Sequence, residues 1–276
     1  MQTNQSAQIN IKKIALNNII STEDQVAVEE PLEIQLAYST ANGRMQKNIS
    51  VTMRTPGNDE ELAAGFLFTE AIIKNHVSIK DIKHLSFDEN RIMVTLHENI
   101  LPALNKTDRN FYSTSSCGIC GKASIDAIRT LSVYGNEKDT IRIKAELLYG
   151  LQDALRKQQY IFESTGGIHA SALFNLQAEF IMLREDVGRH NALDKLIGAA
   201  LMKNELPLNN YILLLSGRAS FELVQKAAMA GIKMIAAVGA PSSLAVELAN
   251  ETGITLIGFL RDSRFNLYSG FQRLQA

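Results

Sequence analysis

Tyr211-Ile212-Leu213-Leu214-Leu215, Met234-Ile235-Ala236-Ala237-Val238 and Thr255-Leu256-Ile257-Gly258-Phe259-Leu260 are three short apolar runs. Runs of this length, rich in branched side chains, read as buried strands. The segments between them, Phe221 to Ala230 and Ser242 to Asn250, have helix length. The pattern is therefore β-α-β-α-β, which predicts a parallel sheet with right-handed crossovers. In such sheets ligands bind outside the carboxyl ends of the strands. The turns that leave those ends are Ser216-Gly217-Arg218, Gly239-Ala240-Pro241-Ser242-Ser243 and Arg261-Asp262-Ser263-Arg264. Two of them lead into helices, whose first N–H groups attract anions, and Arg218, Arg261 and Arg264 add charged donors suited to a pyrophosphate. The competing reading is three ordinary surface turns, because Gly and Ser also serve simply to start helices.

Upstream, Leu32, Ile34, Leu36 and Tyr38 alternate at the period of a half-buried strand, as do Ile49, Val51 and Met53. Asn58 with Glu61 offers a capping box for a helix over residues 59–73, marked by Leu62, Phe66, Thr69 and Ile73. Ile82 to Phe87 and Ile92 to Leu96 flank Asp88-Glu89-Asn90, a hairpin pattern. A helix is expected to start near Lys122, another runs along Leu147, Leu151 and Leu155, and a third begins near Gly188 to Asn191. These readings divide the chain into a small α+β domain over 20–110, a cysteine-bearing loop over 111–122 and a larger α/β domain over 123–276.

The chain has 276 residues, 46% apolar and 21% charged, with a net charge of -1. This is the composition of a globular protein that carries no broad positive field, which argues against nucleic acid and anionic membranes as partners. Met1 to Lys13 lacks an apolar signal region, and no run approaches membrane-spanning length, so a cytoplasmic location is expected.

The two cysteines, Cys117 and Cys120, lie in Ser115-Ser116-Cys117-Gly118-Ile119-Cys120-Gly121-Lys122. A reducing compartment would hold them as thiols. Lys122 and a helix start would favour the reactive thiolate. The residues leave several readings open: an inert loop, half of a zinc site, a thioredoxin-type dithiol, or a persulfide carrier. Zinc needs four ligands, and His76, His84, His97, His169 and His190 show no paired spacing, so no structural metal is expected. A thioredoxin-type motif should follow a strand, whereas a long irregular segment precedes this one.

Charge also concentrates at Arg184, Glu185, Asp186, Arg189, His190 and Asp194, where His190 and Asp194 share a helix face. A solvated helix end explains the cluster as well as a ligand site does. Gly188 would allow close approach of a ligand, and Asp186, Arg189 and His190 are kept as candidate binding residues. Thr165-Gly166-Gly167 and His169 read either as a tight turn or as a ligand contact.

The ordered set of motifs resembles the FdhD/NarQ family of formate dehydrogenase accessory sulfurtransferases. The carrying stretches are Met53 to Gly57, Glu61 to Glu70, Ser116 to Lys122, Thr165 to Ala170, Glu185 to Lys195, Leu215 to Ser220 and Ala240 to Ala245. The resemblance implies a C-terminal three-layer domain of cytidine-deaminase-like fold beside a smaller N-terminal α+β domain. It implies a sulfurtransferase that takes sulfur from a cysteine desulfurase as a persulfide on Cys117 and passes it to the molybdenum cofactor. That cofactor would be the Mo-bis(molybdopterin guanine dinucleotide) form destined for formate dehydrogenase, carried by a homodimer. Cys120 is assigned to release or resolve the persulfide. On this reading the guanine dinucleotide occupies the strand-end crevice. There Phe259 or Leu260 covers a base face, Asp262 accepts from a guanine edge, and Arg261, Ser263, Arg264, Ser216, Gly217, Arg218 and Ser242 line the site. A zinc deaminase is excluded on the residues, since His169 is followed by Ala170 and Ser171 and the Cys pair lies upstream. The rival from another class is a non-catalytic chaperone for the cofactor. A nicotinamide oxidoreductase lacks its Gly-x-Gly-x-x-Gly after a strand.

Overall fold

The computed structural model describes residues 5–16, 18–86, 88–104, Tyr134 and 141–275. Cys117, Cys120 and the helix expected near Lys122 lie outside the described residues.

The parallel unit forms as the apolar runs predict, with β10 (Tyr211–Leu215), β11 (Met234–Ala237) and β12 (Thr255–Arg261) alternating with α5 (Phe221–Met229) and α6 (Ser243–Glu251). It is the centre of a larger mixed sheet. A hairpin of β8 (His169–Asn175) and β9 (Phe180–Asp186) joins antiparallel to β10, and β13 (Arg264–Ser269) joins antiparallel to β12. The order is β13-β12-β11-β10-β8-β9. Strand alternation sends Leu213 and Leu215 to one face and Ile212 and Leu214 to the other. The first face packs under α4 (Arg189–Met202), α5 and α6, and the second under α2 (Leu151–Arg156) and Leu148, with the short β7 (Ile143–Lys144) before α2 and α3 (Tyr160–Thr165) leading into β8.

A second sheet has the order β4-β3-β6-β5, built from β3 (Glu30–Thr40), β4 (Gly43–Arg54), β5 (Ile79–Leu85) and β6 (Asp88–Leu96). α1 (Asp59–Thr69) covers it. The core under α1 is continuous with the core under α4 and α5, running from Leu32 to Leu256 in one cluster.

Local expectations fail in instructive places. Asn58 precedes α1 in a left-handed conformation and its side chain caps nothing, while Glu61, the other half of the expected capping box, reaches Arg184 instead. Three acidic residues, Asp59, Glu60 and Glu61, take over at the positive end of the helix dipole. The helix stops at Thr69 rather than at Ile73, with the N–H groups of Ile72 and Ile73 both folding back to the Leu67 carbonyl. Asp88, Glu89 and Asn90 belong to β6, so the hairpin turn falls before them. Leu147 lies in a 3-10 turn that Gly150 separates from α2, leaving only Leu151 and Leu155 on a buried helical stripe. The N-terminal lead is itself a hairpin, β1 (Ser6–Ala15) against β2 (Asn18–Ala27), whose short-range alternation is masked by polar residues on both faces.

α1 and α4 cross at two glycines. A Cβ on Gly65 would fall onto the carbonyl of Asp194, and one on Gly198 onto the carbonyl of Glu61, so the backbones themselves are in contact. Neither position can accept a side chain without separating the helices. Gly65→Ala or Gly198→Ala is expected to destabilise by about 3 kcal/mol or more, read as a lower denaturant midpoint. Ala at Gly150, where nothing lies within 4 Å, is the control expected to leave the midpoint nearly unchanged.

Candidate functional site

The carboxyl ends of the central strands are tied together by main-chain bonds. Gly239 N–H donates to Gly217 O at 2.8 Å, Ala219 N–H to Ala240 O and Ser242 N–H to Ala219 O. The first two predicted turns therefore form one continuous ledge, and glycine is required on it because a Cβ at Gly239 would strike the Arg218 backbone. β12 adds to the ledge through Phe259 N–H to Gly239 O. Phe259 sits at φ 54 in a bulge, and that left-handed conformation throws its ring to the surface, 43% exposed. Such a conformation is uncommon for an aromatic residue and is costly to hold. Arg261 and Arg264 face each other across the β12–β13 turn, whose tip is Asp262 and Ser263. With Phe259 and Asn266 they line an open cavity of about 250 Å³. The Arg261 guanidinium is braced on the Val238 carbonyl at 2.8 Å. Leu260 is fully buried in the core beneath, so of the two apolar candidates only Phe259 presents a face.

His169 and Asp186 are opposite one another at the ends of β8 and β9, beside the Ser216 to Arg218 turn. Ser216 Oγ accepts from Ala170 N–H at 2.8 Å, and the His169 ring lies against Gly217. At the start of α4, His190 Nε2 meets Ser220 Oγ at 3.3 Å and Glu222 at 3.6 Å. The motifs singled out around His169, Asp186, Arg218 and Ser242 thus converge at one end of the sheet.

Asp186 has a bracing role there. It is 0% exposed, pairs with Lys195 at 2.7 Å, and accepts from the N–H of Thr55 and Gly188 and from Asn191 Nδ2. Lys195 also donates to Thr55 O, and Val187 N–H to Thr55 Oγ1. The Met53 to Pro56 stretch is therefore locked to the 185–195 motif. Gly188 is part of this lock, because a side chain there would crowd Asn191 and Asp186. Arg184, one of the clustered charges, pairs with Glu61. Asp194 pairs with Lys226 at 2.9 Å and accepts from Thr69 Oγ1 at 2.7 Å. His190 and Asp194 do share a face, and it is the face turned to α5.

From the sequence, Arg54, Thr55 and Pro56 read equally as a plain turn before the helix or as a functional stretch, and Lys195, Lys226 and Glu222 were missed. Arg54 is buried and grips Asp59 with two donors at 3.1 and 3.0 Å. A charged residue inside an otherwise apolar stripe, as Lys195 and Lys226 are, was the available signal.

Burial sets some of the shifts in basicity, and neighbouring charges and hydrogen bonds override it in others. It lowers His169 below the usual histidine range, helped by the positive charges of Arg189 and Arg218 and by the neighbouring His190 and opposed by Asp186. It raises Asp186 and Glu185, the latter against the N–H groups of Ile161 and Phe162 that it accepts. Burial would also lower Lys226, but Asp194 and Glu70 outweigh it and hold that lysine protonated. Glu222 is pushed up by burial yet pulled down to about 2 by His190, its own backbone N–H and Ser220.

A carboxyl whose folded value lies below its unfolded value near 4.5 contributes stability above pH 4.5 and loses it as pH falls toward 2. Urea unfolding of Glu222→Gln should show the largest deficit against the parent at neutral pH, shrinking through that window. A deficit that stays constant from pH 6 to 3 would remove Glu222 from the electrostatics of the site.

Comparison with known proteins bears on the same residues. The FdhD/NarQ family profile matches residues 27–275. The chain is 49% identical to the "Sulfur carrier protein FdhD" of Streptomyces coelicolor, over 91% of this chain and 89% of that one. It is 38% identical to the protein of the same description from Saccharolobus solfataricus, over 96% and 99%. Among solved structures, one described as a formate dehydrogenase accessory protein from Desulfotalea psychrophila superposes with a TM-score of 0.72 at 25% identity, covering 99% of this chain and 100% of that one. Among the described residues no helix is long and apolar enough to cross a membrane. With the family profile spanning residues 27–275, nearly its full length, the chain belongs to the FdhD/NarQ family.

Proposed function

We propose that this protein is a sulfur carrier that accepts sulfur on Cys117 from a cysteine desulfurase and delivers it to the molybdenum cofactor, held as a guanine dinucleotide substrate, for formate dehydrogenase. The descriptions of its relatives support the sulfur-carrier role and the link to formate dehydrogenase. The observation that carries the binding half is Phe259, fixed in a left-handed conformation with its ring exposed beside Arg261 and Arg264. An aromatic face next to two guanidinium groups suits a base and its phosphates. On this reading Asp262 takes the guanine edge, Ser263 and Ser242 give hydroxyl contacts, and the Ser216-Gly217-Arg218 turn holds phosphate. The helix cover on both faces of the sheet is consistent with a three-layer, cytidine-deaminase-like domain, and a cytoplasmic homodimer is the expected working form.

The sulfur step balances without an outside oxidant. The Cys117 thiolate attacks the outer sulfur of the donor persulfide, the donor's S–S bond breaks, and the donor leaves as a thiolate. Attack by the Cys120 thiolate on the inner sulfur of the Cys117 persulfide then gives a Cys117–Cys120 disulfide and expels hydrosulfide to the cofactor. An external thiol resets the disulfide.

Incubation with a desulfurase and cysteine should add a single sulfur to the peptide containing Cys117, seen by mass spectrometry. Cys117→Ala should abolish transfer while the protein remains folded. Sulfur found only on Cys120 would reverse the assignment. Absence of added sulfur with cofactor binding intact would leave a non-catalytic chaperone.

Calorimetric titration with guanosine diphosphate tests the crevice separately. Arg218→Ala and Arg261→Ala should each weaken binding about tenfold, the usual loss for one charged hydrogen bond. The site is misplaced if both bind as tightly as the parent.

A further inference from the structure

The end of the sheet beside β10 carries more positive charge than its acids balance. Among the described residues neither Arg189 nor Arg218 is within ion-pair distance of a carboxylate. Arg189 Nε is buried with no hydrogen-bond partner, an expensive state unless a ligand supplies the acceptor. The nearby acids are already engaged, Asp186 by Lys195 and three further donors, Glu222 by His190 and Ser220. His169 stands against Gly217, the residue before Arg218, where a side chain in place of the glycine would press on its ring, and it feels the charges of both Arg189 and Arg218.

We propose that His169, Arg189 and Arg218 form an oxyanion site for a phosphate or pyrophosphate group, distinct from the Arg261–Arg264 cavity. The proposal rests on the nucleotide reading only for the identity of the molecule that brings the anion. The two sites belong to different strands: His169 begins β8, while Arg261 ends β12, three strand spacings away in the sheet. That separation is roughly 14 Å, too far for one pyrophosphate to touch both. A longer ligand with anionic groups at two points would engage both at once.

Occupation has a proton signature. The groups facing His169 are Arg189 and His190 from α4, Arg218 from the turn after β10 and Asp186 from β9. An anion placed among them offsets the positive charges of Arg189 and Arg218 and lets the imidazole take a proton. Binding is then coupled to proton uptake and strengthens as pH falls from 8 to 6.

The test is calorimetric titration of the full-length protein with inorganic pyrophosphate at pH 6 and pH 8. The parent and Arg261→Ala should bind alike, Arg189→Ala should bind at least tenfold more weakly, and His169→Asn should lose most of the pH dependence. Parent-like binding by both Arg189→Ala and His169→Asn would overturn the proposal, as would loss of binding in Arg261→Ala. Should a variant fail to fold, the parent's histidine NMR signals decide: the His169 midpoint must move up on adding pyrophosphate, and an unmoved midpoint refutes the site. Guanosine diphosphate run in parallel separates the two ideas. A protein that binds pyrophosphate at Arg189 but ignores the nucleotide keeps this site and loses the nucleotide reading.

Discussion

Asp186 is the group on which the arrangement of the site depends. A carboxylate with no exposure is stable only where its oxygens are filled by donors, and here those donors come from different parts of the chain: Thr55 after β4, and Gly188, Asn191 and Lys195 at the start of α4. Removing Lys195 alone would leave a buried charge without its counter-ion, a loss on the order of 3 to 5 kcal/mol. The same contacts fix the direction in which α4 leaves β9. Arg189 and His190 therefore occupy positions set by bonds made on the far side of the helix turn.

A second buried pair repeats the device one turn further on. Asp194 and Lys226 join α4 to α5, and Thr69 at the end of α1 donates to the same carboxylate. Lys226 also lies 5.5 Å over the Phe66 ring, which gives its charge a further partner in an apolar setting. Three helices are thus keyed to one another by a polar contact inside the apolar cluster. Apolar packing tolerates small slides of one helix on another, but a filled ion pair does not.

The parallel unit was legible because its strands are buried on both faces and so appear as unbroken apolar runs between helix-length segments. The β8–β9 hairpin was harder to see, since Arg184, Glu185 and Asp186 end it with charges that resemble a helix start. Sequence spacing also cannot show that the partner of Asp186 is Lys195 or that Arg54 closes on Asp59. Burial of those charges is a property of the folded chain, and in the sequence each looks like a surface residue. The strand-end turns were found by their glycines and arginines. Phe259 was found as an apolar residue near the edge, but its left-handed backbone depends on the bulge against β13 and left no local mark. Leu260, its neighbour and equal candidate in sequence, is turned inward by the same bulge.

The glycine crossing of α1 on α4 also bears on the order in which the chain can assemble. Thr69 and Asp194, which meet beside that crossing, are 125 residues apart in sequence. During synthesis the sheet of β3 to β6 and its covering helix emerge long before α4 exists. Until then the face of α1 around Glu61, Gly65 and Thr69, which α4 will cover, remains open to water. Contacts of such long range slow folding and prolong the life of partly covered intermediates. The first hundred residues are therefore a half-finished structure that waits on the ribosome for its second half, and a chain cut between the two would leave a sticky apolar face on each fragment.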